Sequence, residues 1–348
     1  MTAEHLQTSD FDYHLPTELI AQKPSSDRGR SRLLVLRRTA GNQAVLEDAW
    51  FADLSRLLSP GDLLVLNTTR VRHARLLGTR QSGAPAEILL IHPGPADTWI
   101  AMGKPGAALR PGKRVRLGED AAVETVEVLG DGNRLVRFVG LSADEAMARY
   151  GQLPLPPYIQ RGPDQEDEVR YQTVYAQAEG SVAAPTAGLH FTPSLLHSLR
   201  SAGVLIEGLD LQVGPGTFKP VEVEDPERHE MHPERFEIGA ELADCVAQVR
   251  ARGGRVWAVG TTVVRALESA ALPNGTLQAG SAETRLMILP GYTFRVVDRL
   301  ITNFHLPRST LLMLVSAFAG RELIMAAYRH AVAERYRFYS YGDAMVII

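Results

Sequence analysis

The spacing of hydrophobic positions changes character twice along the chain. From about Ala74 to Gly140, short apolar runs are broken by glycine and proline: ARLLG, EILLIH, TWIAMG, KRVRL, VETVEVLG and RLVRFVG. Turn signals such as Gly130-Asp131-Gly132-Asn133 stand between them. Six strands at this spacing predict a small antiparallel barrel or sandwich. Ser142 and Glu145 then form an S-x-x-E capping box, and Gly151 stops the helix after Tyr150.

Past Gly151, a stiff connector, LPLPPYI (153–159), leads into alternating strand and helix patterns. Thr192 as N-cap and Pro193 at the first helical position open a helix through Leu199 that ends near Gly203. VLIEGLDLQV, RVWAV, RLMIL and the terminal AMVII read as strands. Helices are expected over 241–252, from Thr262 to Ala271, and near 309–319 and 321–335, the last two parted by Gly320. The acidic run Asp164 to Glu168 reads as a solvated loop. Alternation of this kind implies βα crossovers and a largely parallel sheet. LLVLRR and DLLVLN, from the first 67 residues, supply further strands for it. The expected fold class is α/β: a discontinuous domain with a mixed or parallel sheet, made of residues 1–69 and 152–348. A small antiparallel β-barrel-like domain, residues 70–151, is inserted into it.

Length and composition fit this picture. A chain of 348 residues suggests two domains, and 45% apolar residues are enough for a sizeable core. Lys+Arg 37 against Asp+Glu 40 excludes a blanket basic surface, so any nucleic acid must be met by local patches. Only four of the basic residues are lysine (Lys23, Lys104, Lys113, Lys219). Either genomic base composition or the planar fork that arginine offers to phosphate accounts for this. The lone Cys245 excludes an internal disulfide and sits in an apolar-periodic stretch as a plain core thiol. MTAEHLQTSDFDYHL lacks a signal-peptide pattern, and Leu311 to Ala319 falls short of the ~20 residues that span a bilayer. A cytoplasmic protein without membrane contact is expected.

Four loops carry polar residues that a core does not ask for. AAPTAGLHFT (183–192) offers Thr186, His190 and Thr192 around a flexible Gly188, although a helix lead-in with a satisfied histidine has the same look. VGTTVVRALES (259–269) is a strand, a glycine turn and a helix start. Its N–H groups attract an anion, and Arg265 lies one turn further in. Simple Ser/Thr capping also explains it. In VGPGTF (213–218), Gly214 and Gly216 permit close backbone approach, but no helix follows as a dinucleotide fingerprint requires. NFHLP (303–307) and YSYGD (339–343) place His305, Tyr339, Tyr341 and Asp343 near element ends. No P-loop, His-Glu-x-x-His or Gly-x-Ser-x-Gly motif occurs, and His229/His232 lack an obvious third metal ligand. No metal site is expected.

Together these segments resemble the S-adenosylmethionine:tRNA ribosyltransferase-isomerase family of the queuosine pathway (the QueA family). The resemblance runs over nearly the whole chain. It covers DRGRSRLLVL (27–36), GDLLVLN (61–67), LPLPPYI, RYQTVYA (170–176), GSVAAPTAGLHFT (180–192), GTF (216–218) and AVGTT (258–262). It continues through LITNFHLPRSTLLMLVSAFAG (300–320) and YRFYSYGDAM (336–345). The resemblance implies an α/β domain interrupted by a β-barrel-like insertion. It also implies that S-adenosylmethionine acts as co-substrate, with no bound cofactor, and gives up its ribosyl part. The acceptor is the aminomethyl group of 7-aminomethyl-7-deazaguanine at the tRNA wobble position. Adenine and methionine leave, and an epoxycyclopentane forms to give epoxyqueuosine. The sulfonium acidifies the ribose C5′–H, so a general base can form a sulfur-stabilised carbanion. Such a reaction needs a base, an acid near adenine and a water-poor pocket.

Under this resemblance His190 and His305 are the acid/base candidates, and Asp343 attracts the cation or holds a hydroxyl. Gly260, Thr261 and Thr262, with Arg265, hold an anionic group such as the methionine carboxylate. Phe191, Phe218 and Tyr341 stack on adenine or face the sulfonium. Thr186, Gly188, Gly214, Gly216, Thr217, Asn303, Phe304 and Gly342 complete the expected donor site. Arg28, Arg30 and Arg32, Arg70 and Arg72 with Arg75, and Arg114 with Arg110, Lys113 and Arg116 are candidate phosphate contacts. Three positions depart from the family pattern: Thr68 replaces an acid, Gln212 replaces a histidine, and Arg285 stands at or near a lost acid. They leave two alternatives open, a paralogue with another acceptor or plain donor cleavage, and a catalytically silent tRNA-binding protein.

Overall fold

The computed structural model describes residues 6–38, 44–218 and 220–348, apart from the side chains of Ala44 and Phe218. The chain starts the main sheet with β1 (Arg32–Arg38), β2 (Ala44–Trp50) and β3 (Leu63–Asn67). After the short β4 (Arg70–Val71) come β5 (Arg75–Arg80), β6 (Pro85–Pro93), β7 (Thr98–Lys104), β8 (Arg114–Arg116), β9 (Ala122–Val128) and β10 (Arg134–Val139). Helix α1 (Ala143–Tyr150), β11 (Gly151–Gln152), α2 (Gln165–Arg170), β12 (Glu179–Ser181) and α3 (Pro193–Ser201) follow. Then come β13 (Leu205–Leu211), β14 (Glu234–Ile238), α4 (Ala240–Ala251), β15 (Val256–Val259), α5 (Thr261–Ala270) and β16 (Gly280–Thr284). The chain closes with β17 (Arg299–Asn303), α6 (Thr310–Ala319), α7 (Arg321–Ala333) and β18 (Ala344–Ile347).

The main sheet has nine strands in the order β16-β14-β13-β3-β15-β17-β18-β1-β2. Its centre, β13, β3, β15 and β17, is parallel, so the carboxyl ends of these strands share one edge. β18 and β1 run against β17, which makes the sheet mixed. Leu63 to Asn67 are all buried, as expected of a strand covered on both faces. The nearly all-apolar α6 is likewise buried along most of its length. Leu33, Val35, Leu64 and Leu66 belong to one core and Leu34, Leu36, Leu63 and Val65 to another, so alternate residues of β1 and β3 fill opposite faces of the sheet.

The second sheet is the expected antiparallel barrel. β5-β6-β7-β10-β9-β8 form a ring that the β5–β8 pairing closes, and β11 adds to β5. Alternation directs Ala86, Ile88 and Leu90 of β6 into its core. The Ser142–Glu145 capping box starts α1, which packs on this core. Residues 70–71 pair with β12 rather than with the barrel.

Two expectations are corrected. RLMIL (285–289) is irregular, and the strand β16 lies just before it. Its apolar residues pack as a loop against the core ahead of the Pro290-Gly291 turn, and the Leu286 carbonyl is held by Arg265 Nε at 3.0 Å. The acidic run 164–168 is not a solvated loop: Asp164 caps α2, and the Asp167 side chain is fully buried against Arg161 and Tyr341. Cys245 is half-buried at the edge of the main core, and burial pushes its thiol pKa up. Among the described residues no single helix is long and apolar enough to cross a membrane. α6 and α7 reach that length only as a pair bent by 115°.

Candidate active site

The carboxyl edge of the parallel strands is where ligands collect in open α/β sheets. Here it holds a cleft. Its walls come from Ala184–Ala187, Gly260–Thr262, Thr302–Leu306 and Tyr339–Ser340, with Tyr158, Val213, Thr217 and Leu311.

Helix α5 points its amino end into this cleft. β15 ends at Val259, and Gly260 turns the chain with φ +93°, a conformation costly for any residue with a Cβ. No side chain caps the first turn of α5, so its N–H groups and the positive end of the helix dipole are available to an anion.

Asn303, at the end of the adjacent strand β17, lines the cleft beside this helix start. Its Nδ2 donates to the carbonyl of Tyr339 at 2.9 Å, and since a carbonyl only accepts, the orientation of the amide is fixed. Nδ2 also lies 3.2 Å from His190 Nε2, which therefore accepts, so the proton of His190 sits on Nδ1 facing Ser31 Oγ at 2.9 Å. The remaining Asn303 oxygen, Oδ1, is buried without a hydrogen-bond partner. An unsatisfied buried acceptor costs about 1–3 kcal/mol and points to a ligand donor.

His305 lines the cleft, with Nε2 2.8 Å from Thr302 Oγ1. Its backbone N–H donates to Tyr328 Oη at 2.9 Å, which fixes the ring's base. Burial depresses the His305 pKa to about 3 and the His190 pKa to about 4, so both rings are neutral at pH 7. Tyr339 takes the left-handed conformation, φ 71°, and its ring meets Tyr158 at 4.6 Å. Tyr158 in turn bonds Ser340 Oγ at 2.6 Å.

The fold thus brings Thr186, Thr217, Gly260, Thr261, Thr262, Asn303, Phe304 and His305 together. The Phe304 ring, however, packs among Tyr328, Tyr336 and Phe338. Several other expected residues lie elsewhere. His190 stands behind Asn303, against Phe51, with both ring nitrogens engaged. Phe191 is core, edge-on to Phe51 and Tyr175, so it cannot stack on adenine. Gly188 makes room for Tyr175, whose hydroxyl a Cβ there would strike. Tyr341 is buried and donates to Asp167. Asp343 accepts from the backbone N–H of Arg32 and Arg337, so it ties the start of β1 to the turn before β18 rather than facing a cation. Gly342 serves that same turn, where a Cβ would meet the Arg337 carbonyl at 2.5 Å. Arg265 pairs with buried Glu234, away from the cleft, and Gly214 and Gly216 line that neighbouring space. The Phe218 side chain lies outside the described residues. Among the described residues no cluster of three or more metal-ligating side chains occurs.

Residues 8–347 match the family model described as "Queuosine biosynthesis protein". The chain belongs to this queuosine biosynthesis family. A Symbiobacterium thermophilum protein named S-adenosylmethionine:tRNA ribosyltransferase-isomerase is 52% identical over 99% of this chain and 100% of that relative. One of the same name from Cupriavidus metallidurans is 53% identical, covering 98% of each. The crystal structure of an S-adenosylmethionine tRNA ribosyltransferase from Thermotoga maritima aligns with TM-score 0.56 and 37% identity, covering 98% of this chain and 100% of that one.

The three departures from the family pattern lie outside the cleft. Thr68 Oγ1 donates to the Leu209 carbonyl, Gln212 sits beside Arg235 in a separate surface hollow, and exposed Arg285 pairs with Glu283. The candidate phosphate contacts divide in the same way. Arg28 is spent on the carbonyls of Leu189 and Val169, and Arg32 stacks on Tyr336 and pairs with Asp48. Arg72 donates to the Glu179 carbonyl, and Arg114 pairs with Glu124 at 2.7 Å. Arg30, Arg70 and Arg114 are the exposed members of the six, and Arg30 lies beside Asp27 at 3.9 Å. Tyr158 and Ser340, by contrast, were missed as cleft residues. Tyr158 stands in the proline-rich connector and Ser340 between two tyrosines, and neither position carries a local signal of chemistry.

Proposed function

We infer that the protein is an S-adenosylmethionine-dependent ribosyltransferase-isomerase acting on tRNA in queuosine biosynthesis. It moves the ribosyl part of the donor onto 7-aminomethyl-7-deazaguanine and releases adenine and methionine. The observation that carries this reading is that segments 183–192, 258–262 and 300–307, far apart in a chain matched end to end, build one cleft. In that cleft the N–H groups of Thr261 and Thr262 take the methionine carboxylate. Asn303 Oδ1 accepts from a donor hydroxyl or amine, and His305 is the base for the C5′ proton. His305 is nominated by place: its ring lines the cleft beside Thr302 and is unprotonated at neutral pH. His190 is a positioning residue that orients Asn303. Tyr158 and Tyr339 supply the aromatic wall assigned earlier to Phe191 and Tyr341. A tRNA substrate assigns the enzyme to the cytoplasm.

Adenine release tests the reading. Incubation with S-adenosylmethionine should release adenine only when precursor tRNA is added. Release without tRNA would indicate plain donor cleavage, and donor or tRNA binding without release a silent binding protein. The position of Thr68, Gln212 and Arg285 outside the cleft favours the first outcome.

A further inference from the structure

A second chamber lies between the barrel and the α/β body. Ile100, Met102 and Asn133 line its barrel side, and Gly214, His232 and Arg265 its body side. It shares Thr217 and Leu311 with the donor cleft, so the two spaces are neighbours. On another side it shares Met102 and Pro215 with a third hollow that carries Lys104, an Arg75–Glu87 pair and Arg161, which is held by Asp167.

Arg265 makes this chamber more than a gap. It is 5% exposed, and its side chain is anchored twice, by Glu234 and by the Leu286 carbonyl. Nη2 is left buried with no partner. A guanidinium fork held rigidly, with one donor unspent beside a carboxylate, suits a planar ligand that offers an acceptor next to donors. A guanine-type edge has that order, with O6 as acceptor and N1–H and the 2-amino group as donors. The 7-deazaguanine of the proposed acceptor keeps this edge, and its aminomethyl arm, on C7, projects from the adjacent edge beside O6.

We propose that this chamber holds the acceptor base, with Arg265 Nη2 donating to O6 and Glu234 accepting from the N1–H and amino groups. The arm then reaches the donor past Thr217 and Leu311, and the flanking RNA lies along the hollow that carries Lys104. This assignment rests on the ribosyl-transfer reading and specifies where its second substrate sits.

Walls rather than charges give the cleaner test. A Cβ at Gly214 meets nothing within 4 Å, and the backbone there is not left-handed, so Gly214→Phe should enter the chamber without disturbing the fold. Ile100→Trp narrows it from the barrel side. The double variant Glu234→Gln/Arg265→Gln removes the recognition pair and leaves no orphaned charge. Each full-length protein would be titrated with S-adenosylmethionine by calorimetry. Each would then be followed in single-turnover adenine release against increasing precursor tRNA, with melting curves to confirm folding. The proposal expects donor affinity within twofold of the parent and a half-saturating tRNA concentration raised at least tenfold in all three. Unchanged tRNA dependence in the two wall variants would overturn it, as would loss of donor binding. If the parent protein itself released no adenine with precursor tRNA, the ribosyl-transfer reading would fail, a result distinguishable from failure of the chamber alone.

Discussion

The donor cleft and the barrel–body chamber are neighbours built on opposite plans. The cleft is assembled from loops at the carboxyl ends of adjacent parallel strands, and each loop is a short contiguous motif. Its polar groups are fixed by each other: Tyr339 orients Asn303, and Asn303 sets the tautomer of His190. The chamber is assembled from two sheets. One wall comes from β7 and the β9–β10 region and the other from segments after residue 213, and its central group is an ion pair across β14 and α5. A small donor that must be held tightly while bonds break suits the preorganised cleft. A large RNA that must arrive and leave suits a seam between two bodies.

The largest effect expected of this contrast is on chemistry in the cleft. His305→Ala should lower the rate of adenine release by about 10²- to 10⁴-fold, the usual contribution of a positioned acid or base. Donor affinity should change little. A loss of affinity with an unchanged rate would move His305 from chemistry to binding. His190→Ala should act differently, since the ring is packed on Phe51 and 4% exposed. It should lower the melting temperature as well as the rate, whereas a variant of full stability and no turnover would restore His190 as a direct catalyst.

Acid should separate the two regions next. The folded-state pKa values of His190 and His305 lie below the unfolded value near 6.5, so the unfolded chain binds more protons between pH 6.5 and about 4. Stability should therefore be complete above pH 6.5 and fall as pH drops, by up to about 1.4 kcal/mol per pH unit for each ring. Denaturant midpoints measured across this range should slope less in His190→Gln. An unchanged slope would mean that the ring is not held neutral.

Smaller effects belong to the surface. Arg30→Ala and Arg70→Ala should each weaken tRNA binding a few-fold and reduce the slope of log affinity against log salt by about one. A salt-independent affinity would remove both from the RNA path. Smallest of all, Gln212→His and Thr68→Asp should change turnover less than twofold, since neither residue touches the cleft or the chamber.

The two regions also differ in how much of them the sequence reveals. The barrel's six strands were legible because alternation and glycine turns are local, and the α5 anion site because a strand, a glycine and a helix start are contiguous. Asn303 and His305 stood out within a motif. Phe191, Tyr341 and Asp343 stood in equally strong motifs, yet their side chains serve the core and the backbone. A motif marks a constrained segment without saying which side chain faces the ligand. β14, β16 and the Glu234–Arg265 pair were not legible, because their partners are set by tertiary pairing between β13, β14 and β16. RLMIL shows the reverse error, an apolar run whose burial needs no strand.

A crystal structure with S-adenosylmethionine bound would show which groups of the cleft hold the donor. The methionine carboxylate should lie on the N–H groups of Thr261 and Thr262, a donor group on Asn303 Oδ1, and the C5′ carbon opposite His305. A donor seated instead in the chamber beside Arg265 and Glu234 would contradict this placement.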